Sequence, residues 1–304
     1  MTQLLNALPG ALAQGLIWGV MAIGVYITYK VLDIADLTVD GSICTGAAVC
    51  TMLLLGGQSP WLALLCAVLA GVLAGAVTGL LHVGLGIPPI LAGILTQMVL
   101  WSVNLKLLGK ANQALPARTT PVLLSQMDVG GALPVLLGFC VVLVALLVLF
   151  FGTELGCALR ATGCNPVMSR AQGVNTGLMK IIGLALSNGV VALSGALLCQ
   201  YQGYTDVNMG RGAVVIGLAA VVIGQAVLGR RGGRMAVQLG GVILGAVIYY
   251  IVYQVIIFAG FDTDLLKMFS AVVVAVFLGA PHVKAQVKAH SRSKKGDSGH
   301  AENE

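Results

Sequence analysis

The stretch Lys30-Val31-Leu32-Asp33-Ile34-Ala35-Asp36-Leu37-Thr38-Val39-Asp40-Gly41-Ser42 sets three carboxylates between long apolar runs. Spaced by three and four, Asp33, Asp36 and Asp40 would share one face of a helix. The surrounding chain decides what such a face can be. Of 304 residues, 58% are hydrophobic and only 9% charged, against roughly 25% charged in a water-soluble domain. This composition cannot coat a water-facing surface, and the stretch reads as an interruption inside a membrane span. Carboxylates at membrane depth cost several kcal/mol and must face a bundle interior, a water-filled path or the interface. Asp33 reads as a surface charge beside Lys30. Asp36 and Asp40, followed by Gly41 and Ser42, read as a broken second helix lining a central path, because broken helices at mid-membrane present backbone ends and hydroxyls to a polar solute.

Working outward, predominantly apolar runs fall at 10–30, 31–55, 60–85, 88–108, 133–152, 177–201, 213–229, 235–258 and 265–281. The expected fold is an all-α polytopic membrane protein with about eight to ten transmembrane helices. The expected domain is 1–281, followed by a hydrophilic, disordered cytoplasmic tail at 282–304 with some contact to membrane lipid. The seventh run is short and reads as a re-entrant or tilted half-helix. Gly is abundant at 41 residues, yet without a G-X-Y period and with only 9 Pro, which excludes a collagen-like chain. Gly71, Gly75 and Gly79, and Gly241 with Gly245, read as close helix-packing ladders. With the tail inside, Lys30, Arg160, Arg170, Lys180, Arg230, Arg231, Arg234 and the tail place 12 of the 17 Lys and Arg on one side. Lys106, Lys110, Arg118, Arg211 and Lys267 fall outside. That bias orients the chain with its N-terminus outside. The first run lacks a basic n-region and reads as a retained span rather than a cleaved signal. The seven Cys form no CxxC pair or Cys/His ladder, so they read as small buried hydrophobes, with no metal site. His82 reads as an interfacial histidine.

The longest polar stretch before the tail is Glu154-Leu155-Gly156-Cys157-Ala158-Leu159-Arg160-Ala161-Thr162-Gly163-Cys164-Asn165-Pro166-Val167-Met168-Ser169-Arg170-Ala171-Gln172-Gly173-Val174-Asn175-Thr176, on the inner side. Asn165-Pro166 suits a helix start, with Asn as cap and Pro in the first turn. Gly173-Val174-Asn175 suits its end. A short capped helix along the inner membrane face is a docking element for a cytoplasmic partner.

Arg160-Ala161-Thr162-Gly163-Cys164-Asn165 with Gly173-Val174-Asn175 resembles the coupling loop of ABC importer permeases of the branched-chain amino acid and simple-sugar (ribose-type) group. Ala219 to Gly224, and Gly15 to Gly24 in the first run, are similar to further signatures of that family. Where the family usually has two glycines, this chain has Gly224-Gln225. Ala35 to Ser42 and Tyr204 to Gly210 look like a subgroup of aromatic amino acid (tryptophan or tyrosine) permeases. The resemblance implies a coupling loop of Arg160, Gly163, Asn165, Pro166, Arg170, Gly173 and Asn175. The expected path is lined by Asp36, Thr38, Asp40, Ser42, Asn188, Tyr204 and Asn208. The resemblance further implies a separate ABC ATPase subunit carrying ATP and Mg, an extracytoplasmic solute-binding protein delivering solute to the outer loops at 109–132 and 202–212, a homodimer of permeases, and a bacterial cytoplasmic membrane.

The chain itself has no Walker A pattern, no matched catalytic set, and bases neither on one face nor interleaved with aromatics, so enzyme and nucleic-acid readings fall away and no cofactor is expected on it. The competing reading is an ion-coupled secondary transporter or channel using Asp36 or Asp40. Substitution of Gly163 or Arg160 by bulky acids is expected to uncouple transport while leaving the chain folded.

Overall fold

The computed structural model of the chain describes residues 2–116, 120, 122–228, 234–258, 272 and 275, with side chains from residue 7 onward. A first helix, α1 (Thr2–Tyr26), continues into a π-helical turn (Ile27–Val31). It is followed by α2 (Val39–Leu55), α3 (Pro60–Gly84), α4 (Pro89–Leu108), α5 (Val129–Gly152), α6 (Glu154–Cys164), α7 (Pro166–Ala171), α8 (Thr176–Gln202), α9 (Ala213–Leu228) and α10 (Met235–Phe258). Helix starts follow local chemistry. Pro60 and Pro89 occupy first positions, and the side chains of Ser59, Asp128 and Asn175 cap α3, α5 and α8.

Among the described residues six helical segments are long and apolar enough to cross a membrane: Ala7–Val31, Pro60–Gly84, Pro89–Leu108, Val129–Gly152, Thr176–Gln202 and Met235–Phe258. Two shorter apolar helices, α2 with 17 residues and α9 with 16, accompany them. At 1.5 Å per residue these reach about 25 Å, short of the roughly 30 Å hydrocarbon core. Both begin inside the bundle, in agreement with the interrupted second run and the short seventh one. The chain is an all-α polytopic membrane protein. Apart from residues 272 and 275, the ninth apolar run, 265–281, and the tail lie outside the described residues.

The bundle winds around α8, which packs antiparallel against α1 and α3. The small-residue ladders do what their spacing suggested. A Cβ on Gly75 would strike the Leu184 carbonyl of α8, and one on Gly245 would strike the Ala220 carbonyl of α9. Backbones thus meet where side chains would hold them apart.

One end of the bundle gathers the start of α8, the α3–α4 loop, α6 and the start of α10. There His82 Nδ1 lies 2.8 Å from the Ile87 carbonyl and its Nε2 3.4 Å from Lys180 Nζ, while Tyr26 donates to Gln238 at 2.6 Å. Lys30, Arg160, Arg170, Lys180 and Arg234 all belong to this base-rich end. The opposite end holds an element that the all-helical expectation missed. Strand β1 (Asn112–Ala114) pairs antiparallel with β2 (Tyr204–Asp206), in the register Gln113 to Thr205. Three-residue strands flanked by turn residues carry too little alternation to be read from sequence.

Candidate functional site

The break after α1 is built by Asp33, whose φ of 55° turns the chain in a left-handed conformation that aspartate tolerates. Asp33 and Lys30 are exposed, as the sequence suggested. Residues 32–38 then run back into the bundle and bury Asp36 to 6% exposure. Its carboxylate accepts the Thr38 N–H at 2.8 Å and the Asn188 amide at 2.7 Å. Asn188, fully buried on α8, also donates to the Leu184 carbonyl at 2.9 Å and accepts from the Ser42 hydroxyl at 2.6 Å. The Thr38 hydroxyl meets Thr78 at 2.8 Å, and Thr78 meets Thr96 at 3.0 Å. Four of the path candidates, Asp36, Thr38, Ser42 and Asn188, are therefore one cluster tying the start of α2 to α3, α4 and α8.

Asp40 sits elsewhere. It lies in the first turn of α2, and its two oxygens accept the N–H groups of Gly212 and Val214, each at 3.0 Å. It therefore caps the start of α9. Asp36 and Asp40 do not share a helical face, contrary to the spacing argument, because residues 32–38 are not helical. The outer-loop placement of 207–212 also needs correction. Thr205 meets Thr51 at 2.6 Å, Val207 packs with Ala48, Gly210 donates to Cys44 Sγ at 3.1 Å, and Gly212 reaches Asp40. The segment thus descends along α2 to its first turn, where Arg211 and Gly212 are exposed. The N-terminal ends of two broken helices, each a partial positive charge, converge on Asp40.

Beside this junction lies a cavity of about 630 Å³ between α2, α4 and the descending segment. Asp40, Gly41, Cys44, Gln97, Trp101, Ser102, Asn104 and Arg211 contribute to its wall, together with Ile94, Met98 and Val207. Asn104 is 1% exposed, and neither its Oδ1 nor its Nδ2 has a hydrogen-bond partner among the described residues. Sequence reasoning passed over Gln97, Trp101, Asn104 and Arg211. The available signal was their spacing, since 97, 101 and 104 follow i, i+4, i+7 on one face of an otherwise apolar helix. Two further path candidates lie away from this cluster: Tyr204 is exposed in β2 and Asn208 is exposed just beyond it. A second cavity of about 600 Å³ sits toward the ribbon end against Trp18, Tyr249, Tyr250 and Tyr253, and Arg211 borders it too.

At the base-rich end the loop holds two helices rather than one. Asn165 separates them and accepts the N–H groups of Val167 at 3.1 Å and Met168 at 3.0 Å, with Pro166 in the first turn of α7. Arg170 donates to Thr176 at 3.2 Å, Gly173 turns with φ 83°, and Asn175 caps α8 by accepting the Leu178 N–H at 3.1 Å. Arg160 is exposed on α6, and α7 presents Val167 and Met168 at 78% and 62% exposure. Gly163 is not a free surface position. A Cβ there would collide with the Val31 carbonyl, so bulk at Gly163 disturbs the fold, contrary to the expectation stated above. Cys157 and Cys164 are likewise exposed on α6, while Cys44, Cys50, Cys140 and Cys199 are buried and Cys66 is half-buried. The amphipathic, water-facing α6 overrides the buried reading for the first two.

Over residues 8–280 the chain matches the family model described as branched-chain amino acid transport system, permease component. It is 37% identical to a tyrosine transport system permease protein of Clostridioides difficile, over 93% of this chain and 94% of that protein. It is 33% identical to an uncharacterized protein of Rickettsia prowazekii, over 91% and 98%. An autoinducer 2 import system permease protein of Escherichia coli is 30% identical over 67% of this chain and 60% of its own length. No solved structure matches.

Proposed function

As the chain belongs to the family of branched-chain amino acid transport system permease components, we propose that it is the membrane subunit of an ATP-binding cassette importer for an amino acid, aromatic in the first instance. A transport permease component is not itself an enzyme. In this reading ATP and Mg are handled by a separate cytoplasmic ATPase, an extracytoplasmic binding protein delivers the solute, and two copies of the chain form the permease in a bacterial cytoplasmic membrane. The aromatic class draws on the tyrosine permease relative.

The observation that carries the reading is the α6–α7 pair. A six-residue helix held by an Asn165 cap and Pro166 holds Val167 and Met168 out to solvent at the base-rich end, between Arg160 and Arg170. An exposed apolar tip ringed by polar groups marks a protein contact, and the positive-inside bias assigns this end to the cytoplasm. A rigid element of this kind transmits a push from a partner, which a flexible connector does not. The solute path then passes the junction of α2 and α9, where irregular backbone and helix ends line a cavity at membrane depth.

The test is uptake of labelled L-tyrosine and other amino acids by cells with and without the chain, joined to affinity purification of the full chain. ATP-dependent, chain-dependent uptake and recovery of an ATPase subunit are expected. Accumulation by the chain alone in liposomes, driven by a pH or sodium gradient, would overturn the proposal.

A further inference from the structure

The outer half of the bundle holds two adjoining cavities. One, of about 290 Å³, lies between the first half of α1, the start of α5 and the ends of α8 and α10. The other, of about 600 Å³, lies between α1, α9 and α10. Gln14 and Gln254 line both, so the two form one column. From Ala7 to Trp18 it follows α1 for about 16 Å by helical rise, roughly half of the hydrocarbon core. Arg211, the one charged residue among its described walls, also borders the cavity beside Asp40. The column therefore leads toward the α2–α9 junction.

Its walls combine aromatic rings with polar groups that nothing in the chain engages. The ring centroids of Trp18 and Tyr250 are 5.8 Å apart, and those of Tyr250 and Tyr253 5.9 Å. Among the described residues none hydrogen-bonds the side-chain amides of Gln14, Gln202 and Gln254 or the hydroxyl of Tyr250. Unlike the occluded Asn104 amide, these groups keep accessible surface. Tryptophan and tyrosine near a membrane boundary often form a lipid-facing belt. Here Trp18, Tyr249 and Tyr250 are only 8%, 3% and 7% exposed, so they belong to the bundle interior. Unpaired amides inside an apolar bundle are costly without water or a polar solute beside them.

We propose that this column is the outer binding site of the solute path and takes an aromatic amino acid, its ring packed against Trp18, Tyr250 and Tyr253 and its head group hydrogen-bonded by the Gln14 and Gln254 amides. The proposal rests on the amino-acid importer reading and deepens it. Aromatic rings in offset or edge-on contact gain more than their buried area alone, and a solute ring extends a cluster already in such contact. Each amide carries both a donor and an acceptor, and so serves the ammonium and the carboxylate of a zwitterion alike. An aliphatic side chain gains burial but no ring contact, so the site favours aromatic solutes over leucine.

The experiment joins labelling to uptake. In right-side-out vesicles of the native host, an impermeant maleimide is applied to Gln14→Cys and to Val142→Cys, a control at a 57% exposed, lipid-facing position of α5. Mass spectrometry of the tagged peptides should show Gln14→Cys labelled and Val142→Cys unlabelled. L-tyrosine at about ten times its Kd should slow labelling of Gln14→Cys about tenfold, and L-leucine at the same concentration should not. In cells, Gln254→Leu should lower chain-dependent uptake of labelled L-tyrosine about ten- to hundredfold, the worth of a hydrogen bond to a charged group. The purified Gln254→Leu chain should stay as heat-stable as the parent, because the amide it loses has no partner in the chain. A Gln14→Cys chain inert to maleimide, equal protection by leucine, or parental uptake by Gln254→Leu overturns the outer site while uptake by the parent keeps the importer reading. Loss of heat stability in Gln254→Leu assigns that amide to packing and overturns its binding role. If no amino acid uptake depends on the chain, the importer reading falls and the outer site with it.

Discussion

Replacing Asn188 by leucine probes the cluster that docks the broken helix. Leucine keeps the branched heavy-atom outline, so no cavity opens at this fully buried position. What is lost is the amide that donates to Asp36 at 2.7 Å and accepts from Ser42 at 2.6 Å. A hydrogen bond to a charged group contributes about 1.5–3 kcal/mol. A neutral interhelical bond in a membrane protein averages about 0.6 and reaches about 1.7 kcal/mol. Together Asn188→Leu should cost about 2–5 kcal/mol. Asp36→Asn alone should cost about 1–3 kcal/mol, because its new amide N–H2 meets a donor, and turning the Asn188 amide to accept from it would take Nδ2 off the Leu184 carbonyl. The informative variant is the pair. With leucine at 188, the neutral amide at 36 no longer leaves a bare carboxylate in the bundle, so the double variant should be more stable than Asn188→Leu alone, a coupling of the kind double-mutant cycles isolate. Thermal unfolding of the purified chain in detergent, with SDS titration to place the variants on one free-energy scale, gives the four values. A double variant as unstable as the sum of its parts, or an Asn188→Leu chain within about 0.5 kcal/mol of the parent, would refute the view that a buried carboxylate pins α2 to α8.

Three other outcomes follow from the geometry. Gly163→Ala should destabilise the chain by about 1–3 kcal/mol through collision with the Val31 carbonyl, whereas Arg160→Glu, at an exposed position, should change stability by less than about 0.5 kcal/mol while lowering ATP-coupled uptake; thermal unfolding and transport measured together separate the two. Asp40→Ala should cost about 1–2 kcal/mol by uncapping α9, and Asp40→Asn less, since one oxygen remains to accept from Gly212 or Val214; a larger loss for Asn than for Ala in the same unfolding assay would refute the cap. In sealed vesicles an impermeant maleimide should label Cys157 and Cys164 when presented to the base-rich face and leave Cys44, Cys50 and Cys199 unmodified until the chain is unfolded; mass spectrometry of the tagged peptides reads both sidedness and burial.

What sequence could convey here depended on locality. The α7 start was legible because a cap is a contact between residues three apart, and Asn165-Pro166 states it outright. The break before α2 was legible because three acids cannot sit in a lipid-facing helix. The roles of those acids were not. Asp36 is defined by Asn188, 152 positions away, and Asp40 by Gly212 and Val214, more than 170 away. Helical periodicity, the only rule available for acids three and four apart, fails because the segment is not a helix. Arg211 was misplaced for the same reason, since nothing local marks 207–212 as a descending strand of chain. Asn104 stayed hidden because an amide in an apolar helix is ambiguous until its neighbours are known to leave it unpaired.

The same contacts bear on the choice between an ion-coupled cycle and one driven from outside the membrane. Both carboxylates at the helix breaks already accept two donors each: Asp36 from Thr38 and Asn188, Asp40 from Gly212 and Val214. A cation taken up at either site would compete with these donors for the carboxylate oxygens, loosening the tie of α2 to α8 or of α9 to α2 at every turnover. A push at the base-rich end has no such cost. Gly163 of α6 lies against the Val31 carbonyl at the end of the π-helical turn, and five residues later the same strand of chain is fastened to α8 through Asp36. Displacement of α6 and α7 can therefore move the start of α2, and with it the Asp40 junction and the cavity wall, as one piece with its hydrogen bonds intact. The glycine that sequence reasoning offered as a docking residue is better understood as the close contact that makes this transmission stiff, and the proposed importer mechanism requires that stiffness.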